Sequence, residues 1–308
     1  MNSNPDIIFL GTPDFAVASL HALVENGFRV VAVVTAPDKP AGRGLKVSES
    51  AIKQYAVKKN IPVLQPVKLK DPVFLEELKS FHADVQIVVA FRMLPEVVWT
   101  MPPLGTINLH GSLLPQYRGA APINRVIMNG ESKTGVTTFK LQQEIDTGNI
   151  LLTEEISIGS DETAGELHDR MKEIGALLVV KTIRGLMDGT LREKPQETLD
   201  PSVLKTAPKI FPTDCEIDWS HNVSQIHNQI RGLSPFPGAF TTLKEKTVKV
   251  FRSKPEIVGH DKLSGLMDTD GKTFLRFTAS GGYIYLEEIQ LEGKKRMNIA
   301  EFLRGYRV

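Results

Sequence analysis

Asn108 and His110 stand two residues apart in the stretch INLHGSLLPQYRGAAPI, residues 107–123. In a strand, residues i and i+2 share a face, so the amide and the imidazole point one way and Ile107 and Leu109 the other. Two such groups aimed at one point can donate hydrogen bonds to an oxygen that gains charge in acyl transfer. Read alone, the pair is first of all a capped strand end with a satisfied histidine. A second polar element is the Asp146-Thr147-Gly148 turn in LQQEIDTGNILL, between two apolar runs. Asp-Thr-Gly is also ordinary turn chemistry. A carboxylate brought beside Asn108 and His110 would orient the imidazole and favour its charged form. Together the three residues form an acid–base constellation with an oxyanion site.

Groups drawn from separated segments need a scaffold to bring them together. Through about residue 190, apolar strand runs (DIIFLGT, FRVVAVVT, DVQIVVAF, GTINLH) alternate with helical patterns (PDFAVASLHALVENG, SESAIKQYAVKKN, DPVFLEELKSFHA). This alternation predicts an α/β domain with a doubly wound, mostly parallel sheet covered on both faces. Thr12 is read as the cap of the first helix, and Asn108 and His110 end a parallel strand, where such sheets place their ligands. A long amphipathic helix is predicted over TAGELHDRMKEIGALLVVKTIRGLMDG. Past Asp188 the texture turns to Pro, Thr and charge, then to one short helix and short alternating runs, which predict a small, partly open β-barrel. The division expected is a domain over 1–188, a linker over 189–205 and a β-barrel over 206–308.

Composition narrows the functional classes. The chain has 308 residues, which suits two domains, with 41% hydrophobic and 24% charged residues and a net charge of +1. No run long enough to span a membrane is seen, and no secretory signal. One cysteine, Cys215, excludes an internal disulfide and fits a reducing cytoplasm. Seven histidines without HExxH or a Cys pair predict no metal. GTPDF lacks the dinucleotide fingerprint, so no nicotinamide cofactor is expected. Residues 206–308 carry 15 Lys and Arg against 12 Asp and Glu, compatible with a phosphate-bearing partner. The segment APDKPAGRGLKVSES, 36–50, reads as a mobile basic loop carrying Lys39, Arg43 and Lys46.

The segments NLHGSLLPQYRGAAPI, EIDTGNIL, IIFLGTPDFA and DKPAGRG closely resemble the methionyl-tRNA formyltransferases of the folate-dependent formyltransferase superfamily. The later APKI…IDWS resembles the family's linker and the start of its C-terminal domain. The resemblance implies a Rossmann-like formyltransferase domain followed by an OB-like one. It implies that 10-formyltetrahydrofolate, as co-substrate, gives its formyl group to the α-amine of methionyl initiator tRNA. The catalytic roles fall on Asn108, His110 and Asp146. Ser112, Leu113, Leu114 and Pro115 fall on the folate-binding segment, and Arg92 and Leu94 on the loop beside the pterin. Arg43, with Lys39 and Lys46, falls on the segment that meets the tRNA acceptor end. One departure is visible: in VVAFRMLP, Phe91, Arg92 and Met93 stand where many members have Tyr-Gly, and the loop is one residue shorter. A sugar-nucleotide N-formyltransferase with the same trio, a hydrolase using water as acceptor, and a non-catalytic tRNA-binding module remain alternatives. A monomer is expected.

Overall fold

A computed structural model of the chain describes residues 4–41, 46–198 and 200–306. The chain gathers into two compact units. One holds the chain through Arg118 with Gly135–Ile156 and Asp169–Lys205; the other holds Gly119–Thr134, Ser157–His168 and the chain from Thr206 onward. The division therefore falls differently from a simple cut after residue 188. The segment 189–205 belongs with the first unit, and two excursions, 119–134 and 157–168, belong with the second.

The first unit is built on a seven-stranded sheet. Its order is Ile150–Ser157, Lys133–Lys140, Thr106–His110, Val85–Val89, Asp6–Gly11, Arg29–Val34, Val63–Leu64. The five strands from Thr106–His110 onward are parallel, and Lys133–Lys140 runs antiparallel to Thr106–His110. Every residue of Val85–Val89 is buried, the polar Gln86 included, so the centre of the sheet is covered on both faces, as a parallel sheet packed by helices requires. The first helix, Asp14–Glu25, starts after Pro13 and has no side-chain cap; Thr12 does not take that part. Pro13 is extended, and its ring removes a donor that a helix start would leave unpaired. Helices Ala51–Lys58 and Pro72–Ser80 are capped by Ser50 and Asp71, whose side chains accept from the Lys53 and Val73 amides.

In the second unit an antiparallel sheet carries strands Ala239–Leu243, Lys246–Ile257, Gly282–Leu291, Leu275–Ala279 and Met267–Thr269, in that order, with Met297–Asn298 paired to Gly282–Leu291. Register shifts between Val250 and Ser253 bend the long strand, and the sheet curls into a half-barrel consistent with an OB-like domain. Lys244 and Glu245 both take positive φ, the geometry of a two-residue hairpin turn. The helix Val223–Leu233 opens with a reciprocal cap between Asn222 and Gln225 and buries Ile226, Ile230 and Leu233 against the sheet. Side-chain bonds explain why the two excursions join this unit. Asn124 donates to the Gly232 carbonyl at 2.7 Å, Arg125 pairs with Asp214 at 3.0 Å, and Arg231 donates to the carbonyls of Gly159 and Glu162. Among the described residues no helix is long and apolar enough to cross a membrane.

His227 sits inside this unit with its Nδ1 against the Ser253 hydroxyl at 3.0 Å. Burial first, and the Arg231 charge second, push its pKa below the usual value, against opposing pulls from the Ser160 backbone, Asp161 and Glu287. The unfolded chain therefore binds the proton more readily. The stability His227 contributes is complete above about pH 6.5 and is lost as pH falls from there toward the lowered folded value. Thermal melts from pH 7.5 to 5.5 are expected to show the second unit weakening, at no more than about 1.4 kcal/mol per pH unit for this one proton. His227→Gln is expected to flatten that dependence; a variant with the same pH slope as the parent would refute it.

Candidate active site

Asn108 and His110 occupy the C-terminal end of the strand Thr106–His110. Ile107 and Leu109 are buried on the opposite face, and a Cβ at Gly175 of the long helix would meet the Leu109 Cδ2 at 2.7 Å, so that face is locked by packing. Asn108 lies between Val88 and Phe139 in register. Its side-chain amide makes no hydrogen bond to any described residue, which leaves its donors available. His110 donates from Nε2 to the Tyr117 carbonyl, 2.9 Å away, because a carbonyl can only accept. The proton on Nε2 is thereby fixed, and Nδ1 is the ring nitrogen that faces Asp146. The Phe139 ring meets the imidazole edge-on at a centroid distance of 6.5 Å.

His110 Nδ1 and Asp146 Oδ2 are 3.7 Å apart, with side chains only 8% and 12% exposed. That is an ion-pair distance rather than a direct hydrogen bond. The two flanking turns carry backbone strain where they serve this pair. Tyr117, whose carbonyl holds His110, has φ +58°, and Asp146 has φ +55°. Non-glycine residues persist in this region only when the surroundings hold them there. Gly148 shows one such constraint: a Cβ there would lie 1.6 Å from the Lys140 carbonyl oxygen. Thr147 caps the turn by donating to the Glu144 carbonyl at 3.1 Å.

The expected folate segment divides by burial. Ser112 is fully buried and its hydroxyl donates to the Gln116 carbonyl at 2.6 Å. Leu114 is buried, and its amide donates to the Thr137 hydroxyl, which in turn donates to the Ser112 carbonyl. These side chains shape the turn from inside. Leu113 and Pro115 remain half-buried, with Leu113 seated over Gly135 and the Leu114–Pro115 peptide cis. In the 88–95 loop, Arg92 turns back to donate to the carbonyls of Pro66 and Val67. Phe91 and Leu94 pack against the core cluster around Val88 and Val98.

The basic segment is a hairpin rather than an open loop: Lys39–Ala41 pairs antiparallel with Lys46–Ser48. Lys39 is exposed. Arg43 lies outside the described residues. Asp38 anchors the base, paired with Lys53 and accepting from Gln65 Nε2 at 2.7 Å, and these bonds hold its carboxyl below the usual carboxylate range.

One residue of the site carries no signal in its local sequence. Gln196, in the Pro- and Thr-rich stretch after the long helix, donates to the carbonyls of Asp146 and Gly148 at 2.7 and 2.9 Å. Its oxygen accepts from Arg118 Nε and Nη2 at 3.1 and 2.6 Å.

Comparison with known proteins places these features in a family. A formyl transferase family model matches residues 6–183, and a formyl transferase C-terminal domain model matches residues 209–307. A methionyl-tRNA formyltransferase of Parabacteroides distasonis is 50% identical over 98% of this chain and 95% of its own length. One from Flavobacterium johnsoniae is 49% identical over 97% and 95%. Among solved structures, an N-formyltransferase from Helicobacter canadensis in complex with folinic acid and dTDP-3-aminofucose superposes with a TM-score of 0.69. It shares 20% identity over 91% of this chain and 98% of that one, and so shares the fold. With about half of all positions common to relatives matched over nearly their whole length, this chain belongs to the methionyl-tRNA formyltransferase family.

Proposed function

We propose that this chain transfers the formyl group of 10-formyltetrahydrofolate to the α-amine of methionine esterified to initiator tRNA, with Asn108, His110 and Asp146 at the reacting centre. The observation that carries the assignment of these residues is the 3.7 Å approach of His110 Nδ1 to Asp146 Oδ2, with Asn108 two residues before His110 on the same strand and its amide without a hydrogen bond to any described residue. A free α-amine titrates at about 7.7–8.0, and an ester beside it lowers that value, so no strong base is needed to produce the nucleophile. The demanding step is the tetrahedral intermediate. As the amine attacks the formyl carbon, the C=O electron pair moves to oxygen and the nitrogen becomes cationic. Asn108 donates to that oxygen from Nδ2, and protonated His110 from Nδ1. Asp146 stabilises the imidazolium and organises a water that carries a proton from the attacking nitrogen to the folate nitrogen as the C–N bond to folate breaks. One hydrogen thus passes from amine to folate, and the charges balance.

The unit built on the seven-stranded sheet supplies this chemistry, and residues 206–308 hold the tRNA backbone through basic segments such as 244–254 and 293–296, contacts that position without reading sequence. The basic segment that carries Lys39, Arg43 and Lys46 meets the acceptor end. Leu113, Pro115 and the main chain of Arg92 and Leu94 border the folate. The enzyme works as a monomer in the cytoplasm. The test is one assay: purified chain with 10-formyltetrahydrofolate and, separately, methionyl initiator tRNA, an amino-sugar nucleotide, or water alone. Formyl-methionyl-tRNA is the expected product; formylation of the sugar nucleotide with the tRNA left untouched would overturn the reading.

A further inference from the structure

Gln196 uses its whole hydrogen-bonding capacity. A primary amide has two N–H donors and two acceptor lone pairs, and here all four are engaged: two by Arg118, two by the carbonyls of Asp146 and Gly148. Only one orientation of the amide works. A flip would set its NH2 against the guanidinium and its oxygen against two carbonyl oxygens. The side chain is therefore a directional link with a cationic donor at one end and the main chain of the Asp146 turn at the other.

Its neighbours fix it against both halves of the His110–Asp146 pair. On one side, Lys194 exchanges backbone hydrogen bonds with Ile150 at 2.8 and 2.9 Å. Glu193 pairs with Lys140 at 2.6 Å and accepts from Asn149. On the other side, the Tyr117 amide donates to the Lys205 carbonyl at 2.6 Å. The Gln116 side chain donates to the Val203 carbonyl and accepts from the Lys205 amide. The dipeptide Tyr117-Arg118 thus serves the pair twice. Its main chain holds the His110 ring, and its side chain, through Gln196, holds the turn that carries Asp146.

We propose that Gln196 is a positioning residue that keeps the Asp146 carboxylate against His110 Nδ1 by tying the Asp146 turn to Arg118. This rests on the reading that Asp146 acts at the reacting centre. The stretch after the long helix then belongs to the catalytic apparatus as a strap across it, besides carrying the chain on to residues 206–308.

Gln196→Glu separates the link into its halves. A carboxylate keeps the pairing with Arg118 but has nothing to donate to the two carbonyls, which it would repel. Misplacement of a reacting group by about 1 Å costs on the order of 10²-fold in rate. Gln196→Glu and Gln196→Ala are each expected to lower kcat by about 10- to 100-fold, with KM for folate and for methionyl-tRNA little changed. Arg118→Met, which removes the far anchor without touching the turn, is expected to lower kcat in the same way. It provides a second route should a Gln196 variant melt before the assay temperature. Single-turnover rates complete a double-mutant cycle with Asp146→Ala. In that background Gln196→Glu is expected to change the rate less than about twofold, since additivity fails for residues acting through one group. Equal losses in both backgrounds, or full activity of Gln196→Glu and Arg118→Met beside a crippled Asp146→Ala, would overturn the positioning role alone. Wild-type turnover of Asp146→Ala would instead overturn the assignment of Asp146, and the positioning role with it.

Discussion

Asn108→Ala is expected to lower formyl-transfer turnover by about 10²- to 10³-fold, the usual cost of removing one donor from an oxyanion site. The loss should fall on kcat, because the proposed contact strengthens only as the formyl oxygen gains charge. Stability should hardly move. The amide has no partner among the described residues, and the strand is anchored by Ile107 and Leu109 on its other face. Polar substitutions that break no internal bond usually stay within about 0.5 kcal/mol. Asn108→Asp is the sharper variant: nearly the same shape, but an acceptor in place of a donor, with a negative charge where negative charge must develop. It should be at least as inactive as the alanine variant and fold as well. Steady-state kinetics with both substrates, beside thermal melts, check the pair. A loss under tenfold for Asn108→Ala would remove it from the reacting centre.

The residues of the site are legible in the sequence to different depths. Asn108 and His110 can be placed on one face from a two-residue spacing alone, because strand periodicity is a local property. The parallel sheet follows from alternating apolar runs for the same reason. The half-barrel follows from short strands separated by Gly, Asp and Lys turns. Contact at long separation is another matter. That Asp146 reaches His110 depends on how Lys133–Lys140 pairs with Thr106–His110, with Thr137 opposite His110, and no local pattern encodes that register. Gln196 is invisible for a related reason. It bonds to main-chain carbonyls about fifty residues upstream, and carbonyls have no sequence. The 36–50 segment shows the opposite error: its Pro and Gly content reads as loop, yet six of its residues pair as hairpin arms. Ser112 is placed by the resemblance only on a binding segment; that its hydroxyl closes on the Gln116 carbonyl follows from the packed turn, not from any local pattern.

Gly148→Ala is expected to damage both stability and activity, through one close approach. A Cβ at this position would stand 1.6 Å from the Lys140 carbonyl oxygen, 2.8 Å from its carbon and 3.2 Å from Phe139 Cδ2. Two of these three atoms are backbone, and the Lys140 amide is bonded to the Asn149 carbonyl at 3.0 Å, so the clash cannot be relieved by turning a side chain. The turn must lift away from Lys133–Lys140. Overpacking of this kind costs about 1–3 kcal/mol or more. The same movement disturbs the Gly148 carbonyl, one of the two acceptors of Gln196, and carries Asp146, two residues upstream, away from His110. The folded fraction should therefore show a kcat lower by on the order of 10²-fold, the penalty of about an ångström of misplacement. Gly259→Ala is the matched control, because a Cβ there meets no atom within 4 Å. It should melt and turn over like the parent. If Gly148→Ala did the same, the backbone contact at Lys140 could not be what sets the turn, and the geometry from which Asp146 is argued to act would lose its foundation.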